Sequence, residues 1–395
     1  MTDLNKIAEK AALYQEDMWE FIRNIVSIDS GEDNPEGIAE VAKLTAMQLE
    51  KAGFAAETAL SAGPVNLIAR RPAPGRPQVL IIGHMDTVFP KGTAAARPFH
   101  IKDGMAYGPG VMDMKSGIGI TVCTLRALHE CGFDGADITV FLAGDEENNH
   151  TYSEARSLLA RYAAGKDAVF NMEPGRENGE IVCARKGVWR PLIKVKGIAA
   201  HSGNDYEKGA SAILELARKT ADIFALTDLE AGTTYNVGVV CGGTLPNIMA
   251  ENASAKLDIR FTTVSEAEKA REKLKALCSH NYDERTRTEL AEESPGDYMP
   301  PFEATEAGLR LCRFVQKQHE NLSFGRLEAV SVGGSSDAAY TTIAGAPTVC
   351  AMGPQSAGAH SGSEFAVVAS CLPRCLLLAS CIVNIGEFVS EKNKL

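Results

Sequence analysis

The side chains of this sequence that could carry out chemistry are histidines and carboxylates placed just after short apolar runs. His84 and Asp86 come shortly after "VLII". Asp145, Glu146 and Glu147 come after "TVFLAG". Three adjacent carboxylates repel one another, so burying them is costly unless cations compensate their charge. Imidazole and carboxylate ligands suit zinc or another borderline divalent cation. These two segments therefore predict a metal site.

Three further candidate ligands occupy similar positions. Asp113 lies in "GPGVMDMKSG" at the start of a predicted helix, Glu173 follows the run "AVFN", and His360 lies in "GAHSGSEF". Each segment is weak by itself, because a histidine at a strand end is more often a hydrogen-bonded core residue and paired glutamates are usually solvated. Together, two histidines and at least three carboxylates exceed the needs of one tetrahedral ion. They suit two ions about 3.5–4 Å apart that share a carboxylate.

Alternating apolar and amphipathic segments predict the elements that bring these residues together. The strands "QVLIIGHMD", "DITVFLAGDEE" and "DAVFNMEPG" are separated by helical segments. This alternation is typical of an α/β fold with a mostly parallel sheet covered by helices. Ligands of such sheets bind beyond the carboxyl ends of the strands, where the candidate residues should converge. The segment "VVASCLPRCLLLASCIVNIGEFV" is broken by a proline and an arginine and predicts a buried core helix.

From Gly187 onward the predicted order changes to β-α-β-β-α-β. This order is the split βαβ plan of ferredoxin-like α+β domains. We therefore predict a catalytic domain formed by residues 1–186 and 298–395, with an inserted lid domain at residues 187–297.

The composition excludes several other classes of protein. The chain has 395 residues, 45% of them hydrophobic, and 40 Lys+Arg against 51 Asp+Glu give a formal net charge of -11. A chain of this length can bury a sizeable core. The acidic balance and the lack of a basic block argue against a nucleic-acid partner. No uninterrupted apolar stretch approaches the roughly 18 residues of a membrane span, so no membrane partner is expected.

Neither the cysteines nor other motifs offer an alternative chemistry. The ten cysteines are scattered and form no CxxC pair, so neither a disulfide framework nor a cysteine zinc site is expected. The N-terminal segment lacks the basic and apolar regions of a signal peptide, and the protein is expected to be cytoplasmic with buried thiols. The glycines of "GPGVMD" form neither GxGxxG nor a P-loop. The lack of a GxSxG segment excludes the simplest serine-hydrolase interpretation.

The segments "GHMDTV", "GPGVMDMKSG", "GDEE", "MEPG" and "AHSGSEF" resemble the signature blocks of the M20 metallopeptidase family. The likeness is strongest to glutamate carboxypeptidases and to acetylornithine and succinyl-diaminopimelate deacylases, and it covers nearly the whole chain. It implies a catalytic domain that binds two Zn²⁺ ions, with Co²⁺ or Mn²⁺ as substitutes. It also implies a homodimer formed through the lid domain.

The resemblance assigns a role to each metal ligand. His84 and Glu173 would bind one zinc ion, Glu147 and His360 would bind the other, and Asp113 would bridge both. The peptide bond after the bridging aspartate is expected to be cis. Family aminopeptidases often carry aspartate in place of Glu173, which favours a carboxypeptidase or deacylase.

The resemblance also implies two residues that act beside the metal ions. Asp86 would hydrogen-bond the ring of His84 and fix its orientation. Glu146 would be the general base that holds the attacking water. Neighbouring side chains leave an extended backbone in opposite directions, which would let Glu147 bind metal while Glu146 faces the water. Asp145 is left without an assigned role, and support of the turn is expected of it rather than chemistry.

Two segments of the lid match family blocks whose residues contact the substrate. In "GIAAHSGNDYEKGASA", His201 would donate a hydrogen bond to the oxyanion, in its own subunit or in the partner's. In "GGTLPNIMAENASAKLDIRF", Asn247 and Arg260 would meet the substrate, with Arg260 binding a free carboxylate. Without the resemblance, His201 would be interpreted as a loop histidine and Arg260 as a salt-bridged strand residue.

These inferences favour a di-zinc amidohydrolase that acts on a small peptide or N-acyl amino acid next to a free carboxylate. The preferred interpretation is a carboxypeptidase, with glutamate as a candidate leaving residue. The alternatives are an N-acyl amino acid deacylase or a dipeptidase with the same site, or a homologue that binds metal or peptide without catalysis. Arg185 and Lys186 could recognise an acidic side chain or form ion pairs at the domain boundary.

Overall fold

The computed structural model describes residues 4–59, 63–291 and 294–392. Within these ranges the helices are α1 (Leu4–Leu13), α2 (Gln15–Val26), α3 (Pro35–Lys51), α4 (Thr93–Ala96), α5 (Ser116–Glu130), α6 (Ala155–Ala163), α7 (Ala212–Ala225), α8 (Val264–Ser279), α9 (Glu306–Asn321), α10 (Ala338–Ile343), α11 (Val368–Val383) and α12 (Ile385–Lys392). A turn at Val111–Lys115, classed as π-helical although Asp113 and Met114 have non-helical dihedral angles, leads directly into α5.

The strands of the same ranges are β1 (Ala55–Ala59), β2 (Asn66–Arg71), β3 (Gln78–His84), β4 (His100–Lys102), β5 (Met105–Tyr107), β6 (Asp137–Ala143), β7 (Ala168–Asn171), β8 (Ile181–Arg185), β9 (Gly187–Trp189), β10 (Leu192–Lys196), β11 (Thr234–Gly242), β12 (Asn252–Phe261), β13 (Arg287–Leu290), β14 (Tyr298–Met299), β15 (Ala329–Val332), β16 (Thr348–Val349), β17 (Ser356–Ala357) and β18 (Phe365–Val367).

The chain divides into two compact units. The first contains the chain up to Ala184, Ala304–Ser331 and the chain from Tyr340 onward, and the second contains Arg185–Glu303 together with Val332–Ala339. The predicted insert, residues 187–297, lies inside the larger of these two stretches. Residues 332–339 belong to the catalytic domain in the prediction, whereas the structure places them in the second unit.

Hydrogen bonds explain the position of this short segment. The Lys186 backbone N–H donates to the carbonyl oxygen of Val332 at 3.1 Å. The Ser335 hydroxyl donates to the carbonyl oxygen of Lys186, also at 3.1 Å. These bonds join residues that are far apart in the chain, and a pattern read along the sequence does not reveal them.

The main sheet of the first unit has six strands in the order β1-β2-β6-β3-β7-β16. β6, β3, β7 and β16 are parallel, while β1 and β2 join antiparallel at one edge. β3 and β6 are buried on both faces over nearly their whole length. Such strands require continuous apolar runs, and "VLII" and "TVFLA" supply them. The carboxyl ends of the four parallel strands lie at the same edge of the sheet, as predicted.

The helical core of the first unit is built from α1, α2, α5 and α11, which pack against one another. α5 and α11 are buried along most of their length, because both are apolar around their whole circumference. The prediction of a buried core helix near the C-terminus is therefore confirmed. No single helix in the described ranges has the length and hydropathy of a membrane span, although α11 and α12 pass that test together across a 49° bend.

The second unit follows the predicted split βαβ plan, with the order β10-α7-β11-β12-α8-β13. The strands form an antiparallel sheet in which β12 lies between β10 and β11, and β13 pairs with the outer side of β10. Burial alternates along β12, so one face of the sheet packs against the helices and the other is exposed. Side chains of Ser211 and Thr263 accept hydrogen bonds from the first turns of α7 and α8 and fix where these helices begin.

A buried ion pair stabilises the second unit, and its removal is a first testable prediction. The side chains of Glu215 and Lys219 on α7 are both almost fully buried, with 3.4 Å between Lys219 Nζ and Glu215 Oε1. Lys219 also donates to the carbonyl oxygen of Leu277. A Lys219→Met substitution leaves the Glu215 carboxylate buried without its cation, and should destabilise the fold by about 3–5 kcal/mol.

The measurement is the midpoint of urea unfolding followed by circular dichroism. Lys275→Met, which removes an exposed lysine from α8, serves as the control and should unfold like the wild type. Equal midpoints for Lys219→Met and wild type would show that the buried pair contributes nothing to stability.

Candidate metal centre

Two groups of side chains in the first unit are arranged to hold metal ions. The first group is His84, Asp113 and Glu173, and the second is Asp113, Glu147 and His360. In each group the potential ligand atoms all lie within 4.8 Å of one another. These are the five residues that the sequence analysis selected as ligands, and Asp113 is the one that both groups share.

The distances within the centre tie the two groups together through Asp113. Its Oδ1 lies 3.0 Å from His84 Nε2, and its Oδ2 lies 3.5 Å from His360 Nε2. His84 Nε2 is also 3.5 Å from Glu173 Oε1, and His360 Nε2 is 3.2 Å from Glu147 Oε2. The two oxygens of one carboxylate therefore face two different histidines, which is the arrangement that a bridging ligand needs.

The fold positions three of the five ligands, His84, Glu147 and Glu173, at the same edge of the main sheet. His84 is the last residue of β3, and Glu173 follows the end of β7. Glu147 lies in the turn after β6, and Asp113 lies in the π-helical turn that leads into α5. The peptide bond between Asp113 and Met114 is cis, as the family resemblance implies.

The electrostatics of the five residues show that they fit divalent cations. Burial, and then the nearby charge of Asp113, raise the pKa of Glu147 to about 7. Hydrogen bonds to Asp113 and Glu147 raise the pKa of His360 to about 11. Burial would lower the pKa of His84, but hydrogen bonds to Asp113, Asp86 and Glu173 raise it well above the usual value. The carboxylates thus attract positive charge strongly. When no metal ion is bound, this positive charge comes from protons on the two imidazole rings.

One atom of the centre is left without a partner. Glu147 Oε1 is buried and has no hydrogen-bond partner among the described residues. A buried, unpaired carboxylate oxygen is costly, and a bound cation would satisfy it. The set of two imidazoles and three carboxylates suits zinc and similar borderline ions. The residues therefore fit the metal centre that the sequence predicts.

Asp86 supports the centre in two ways. Its backbone carbonyl oxygen lies 3.1 Å from Nδ1 of His84 and accepts a hydrogen bond from it, and its Oδ1 lies 3.3 Å from the same nitrogen, so Asp86 is placed to orient that ring. Both of its carboxylate oxygens also accept backbone N–H groups, that of Glu146 at 3.1 Å and that of Glu147 at 2.9 Å. One buried aspartate thus holds a metal-binding ring and the turn that carries the predicted base.

The backbone around Glu146 and Glu147 differs from the prediction. β6 ends at Ala143, and residues 146–150 form a turn in which the Asn149 N–H donates to the carbonyl oxygen of Glu146 at 2.7 Å. The expectation of an extended backbone was therefore wrong, and a tight turn is what separates the two glutamates. The turn forms here because Asp86 binds two successive N–H groups that a continuing strand would otherwise use.

Asp145 stabilises this turn, as the sequence analysis proposed. Its carboxylate accepts hydrogen bonds from the Ser153 hydroxyl at 2.5 Å and from the Tyr152 backbone N–H at 3.0 Å, and it lies 3.2 Å from His150 Nδ1. The pairing with His150 was missed. Burial of both side chains depends on the turn geometry, which the run "GDEENNH" does not show.

Glu364 is a second residue that the sequence analysis missed. Its Oε1 accepts the backbone N–H of Gly110 at 2.8 Å, which ties the segment before Asp113 to the segment that follows His360. Burial raises the pKa of Glu364 to about 7. Its place four residues after His360, inside the motif "AHSGSEF", was the available signal.

Arg97 holds the loop that carries His360, and this contact leads to a second prediction. Its Nη1 donates to the carbonyl oxygen of Ser361 at 3.2 Å, and its guanidinium lies 4.4 Å from the ring centroid of Phe89. His360 has a positive φ of 60° and a side chain that is 54% exposed, so its position depends on this loop. Arg97→Met should weaken metal binding about tenfold, because contacts that orient ligands contribute on that scale.

Metal affinity can be measured by competition with a chromogenic chelator. Arg23→Met is the matched control, because Arg23 also lies over a phenyl ring, that of Phe99, at 5.4 Å. If Arg97→Met bound metal as tightly as Arg23→Met, the loop contact would be irrelevant to the centre.

The second unit carries the three predicted substrate contacts. His201 is exposed, and its Nδ1 accepts the backbone N–H groups of Gly203 and Asn204 at 3.1 and 3.2 Å. A neutral ring in this state carries its proton on Nε2, which is free to donate. Asn247 lies beside it, since its carbonyl oxygen accepts the N–H of Ser202 at 3.0 Å.

The guanidinium of Arg260, which was expected to bind a substrate carboxylate, is paired with a carboxylate of the chain itself. Arg260 lies on β12, where Nε and Nη2 donate to the two carboxylate oxygens of Asp258 at 2.6 and 3.0 Å. The alternative of a salt-bridged strand residue thus describes this structure. Its Nη1 lies 3.5 Å from the Ser335 hydroxyl. A role in binding a substrate carboxylate stays a prediction and requires Arg260 to share or exchange Asp258.

Arg185 and Lys186 bind backbone oxygens of the second unit. Arg185 Nη1 is 3.3 Å from the carbonyl oxygen of Gly334, and Lys186 Nζ is 2.6 Å from that of Gly232. Arg185 Nη1 also lies 3.4 Å from the carbonyl oxygen of Ser335. Two arginines, Arg185 and Arg260, therefore meet at Ser335.

Comparisons with known proteins agree with this geometry. The model of the family described as peptidase family M20/M25/M40 matches residues 80–384. Carboxypeptidase G2 of Pseudomonas sp. (strain RS-16) is 28% identical over 372 residues, which cover 92% of this chain and 87% of that protein. Succinyl-diaminopimelate desuccinylase of Dechloromonas aromatica is 31% identical over 255 residues, which cover 60% of this chain and 67% of that protein. The crystal structure of aminopeptidase PepT from Bacillus cereus superposes with a TM-score of 0.79 at 23% identity, covering 94% of this chain and 99% of that one, and shares the fold.

Proposed function

The chain belongs to peptidase family M20/M25/M40 and is a metallohydrolase, and we propose that it acts as a carboxypeptidase with two metal ions. The observation that carries this proposal is the pair of ligand groups that share Asp113, with Glu146 next to one of the ligands. The similarity to carboxypeptidase G2 over most of both chains supports the choice of reaction.

The metal ions, for which we propose Zn²⁺, would be held by His84, Glu173, Asp113, Glu147 and His360. When bound, they would lower the pKa of water and polarise the scissile carbonyl group. Co²⁺ or Mn²⁺ could substitute for Zn²⁺ with the same imidazole and carboxylate ligands.

Glu146 would move the proton in this reaction. Its carboxylate accepts a proton from the attacking water as the new C–O bond forms, and it gives that proton to the nitrogen as the C–N bond breaks. The backbone N–H of Glu146 donates to Asp86 at 3.1 Å, so the backbone that carries the proposed base is held in place. Nε2–H of His201 would donate to the oxyanion.

We propose that the substrate is a small peptide or N-acyl amino acid with a free carboxylate, and that glutamate is the preferred leaving residue. Arg260 offers a planar fork that matches a carboxylate. Arg185, which shares Ser335 with it, adds a second guanidinium, and Asn247 adds an exposed amide. Once Arg260 shares or exchanges Asp258, two guanidinium groups and a neutral amide donor are present where a single α-carboxylate needs one cation, which favours an acidic side chain.

An N-acyl amino acid deacylase is the second candidate, because the desuccinylase of Dechloromonas aromatica is 31% identical over 255 residues.

A panel of substrates distinguishes the candidates when zinc is present. It would contain peptides and N-acyl amino acids with C-terminal glutamate, alanine or lysine, together with N-succinyl amines and dipeptides. A carboxypeptidase should release the C-terminal residue from peptidyl substrates, whereas an N-acyl amino acid deacylase should cleave the N-acyl substrates alone. Failure to cleave any substrate with a C-terminal acidic residue would refute the glutamate preference.

We further propose a homodimer formed through the second unit. β11 pairs with β12, and its other edge carries no strand in the described part of the chain. Val240 at this edge is 59% exposed, and Ile213 and Leu214 on α7 are also exposed. An unpaired strand edge beside apolar side chains is typical of an interaction surface.

Light scattering tests the dimer and gives the third prediction. The wild type should have the mass of a dimer, and Val240→Asp should shift it to the monomer because a buried, unpaired carboxylate opposes association. Leu229→Asp changes an exposed apolar residue off the strand and should leave the dimer intact. A monomeric wild type, or a dimeric Val240→Asp variant, would disprove this interface.

We also propose a cytoplasmic location. Seven of the ten cysteines are buried, and a chain with many buried thiols suits a reducing compartment.

A further inference from the structure

A pocket of about 360 Å³ lies in the first unit at the start of α11. Ala369, Ser370 and Arg374 line it from the helix, and Gly179 and Gln355 line it from neighbouring loops. None of the candidate metal ligands lines it. It is therefore separate from the centre described above.

Arg374 is a buried cation whose charge is not paired. The residue is 5% exposed, and its Nη2 donates to the carbonyl oxygen of Gly179 at 2.6 Å. Its Nη1 is buried without a hydrogen-bond partner in the part of the chain that the structure describes. No described carboxylate lies within 4.0 Å of the guanidinium, and burial lowers the pKa of Arg374 to about 10. A buried guanidinium in this state is costly unless an anion accompanies it.

The N-terminus of α11 contributes a second positive field to the same pocket. α11 has 16 residues, and no side chain caps its first residue. Ala369 and Ser370 are its second and third residues, and N–H groups in the first turn of a helix lack partners within the helix. Such groups, together with the helix dipole, favour a bound anion.

The remaining walls indicate the shape of the anion. Phe324, Leu327 and Pro373 present apolar surface, and Arg326 stands at the exposed side with its Nε 2.7 Å from Glu328 Oε1. We propose that this pocket binds a small oxyanion on a compact apolar body, with the anionic group held by the guanidinium of Arg374 and the first turn of α11. The anionic group can be a carboxylate or a tetrahedral phosphoryl or sulfuryl group, since both match a guanidinium fork.

The test uses the full-length, metal-loaded protein and two probes, sulfate and benzoate, at constant ionic strength. Thermal unfolding and isothermal titration calorimetry should show that one or both probes bind and raise Tm, because a ligand of the native state stabilises it. Arg374→Met should lose the response, with binding at least about tenfold weaker. Anions that bind at the metal centre would still bind to this variant, so the difference between the two proteins isolates the pocket.

A second variant tests the same site without removing the arginine. Ala369→Glu adds a tethered carboxylate at the second position of α11, and it should raise Tm without added anion and abolish the response to the probes. Ala307→Glu makes the same change at the second position of α9, also a helix of 16 residues, and should keep the wild-type response. A response to sulfate alone identifies a tetrahedral group, and a response to benzoate alone identifies a carboxylate. Wild-type responses in both Arg374→Met and Ala369→Glu, or no response in the wild type, would overturn the proposal.

Discussion

Replacing Glu146 with glutamine should lower kcat by about 10³-fold or more while the protein keeps its metal ions. Glutamine has the shape of glutamate but cannot accept a proton, and general base catalysis contributes on this scale. The backbone N–H of residue 146 would still donate to Asp86, so the turn that positions Glu147 should remain. Initial rates and metal content by mass spectrometry, measured on the same sample, check the prediction.

The matched control is Glu154→Gln, which makes the same chemical change at an exposed residue in the same segment of the chain. This variant should have wild-type kinetics. A Glu146→Gln enzyme with wild-type kcat would eliminate Glu146 as the base. Loss of both metal and activity would instead show that Glu146 supports the centre.

Removal of the metal ions has the second large effect that we expect. Treatment with a chelator should abolish hydrolysis, and addition of Zn²⁺ or Co²⁺ should restore it. The physical reason is that the centre places three carboxylates close together at a buried edge of the sheet. Protons on His84 and His360 neutralise this negative charge only in part, and metal ions would neutralise the rest.

Asp113→Asn should not be restored by added metal. Asp113 belongs to both ligand groups, so its loss should weaken both sites, whereas the exposed Asp103→Asn variant should behave like the wild type. Metal titration followed by calorimetry measures the stoichiometry. Two tightly bound ions in Asp113→Asn would contradict a shared ligand, and undiminished activity in the chelated wild type would contradict a metal-dependent reaction.

The parts of the centre that could be predicted are those fixed by local patterns. His84 ends a strand and Glu147 and Glu173 come shortly after strands, the apolar runs of these strands are visible in the sequence, and parallel strands run in one direction, so their carboxyl ends meet at one edge. Asp113 could be placed because the glycines before it and the helix after it are also local features. The fold class followed for the same reason, since periodicity distinguishes buried parallel strands from the alternating strands of the insert.

The contacts that could not be predicted join distant residues. Arg97 reaches Ser361, and Glu364 reaches Gly110, across segments that only the folded chain brings together. The turn at Glu146 depends on Asp86, a residue of another strand end. Residues 332–339 belong to the second unit because of backbone hydrogen bonds. Such bonds produce no periodic pattern of apolar residues in the sequence.

The position of Asp86 limits which substitutions the sequence of this enzyme can accept. One of its carboxylate oxygens lies close to His84 of the first ligand group, and the two oxygens accept the backbone N–H groups of Glu146, the proposed base, and of Glu147 in the second ligand group. Substitutions at this residue and at its partners should therefore be strongly epistatic, because groups in one hydrogen-bonded network are not energetically additive. Mutation is thus constrained to preserve metal affinity and proton transfer together, and adaptation to a new substrate has to proceed through residues outside this network.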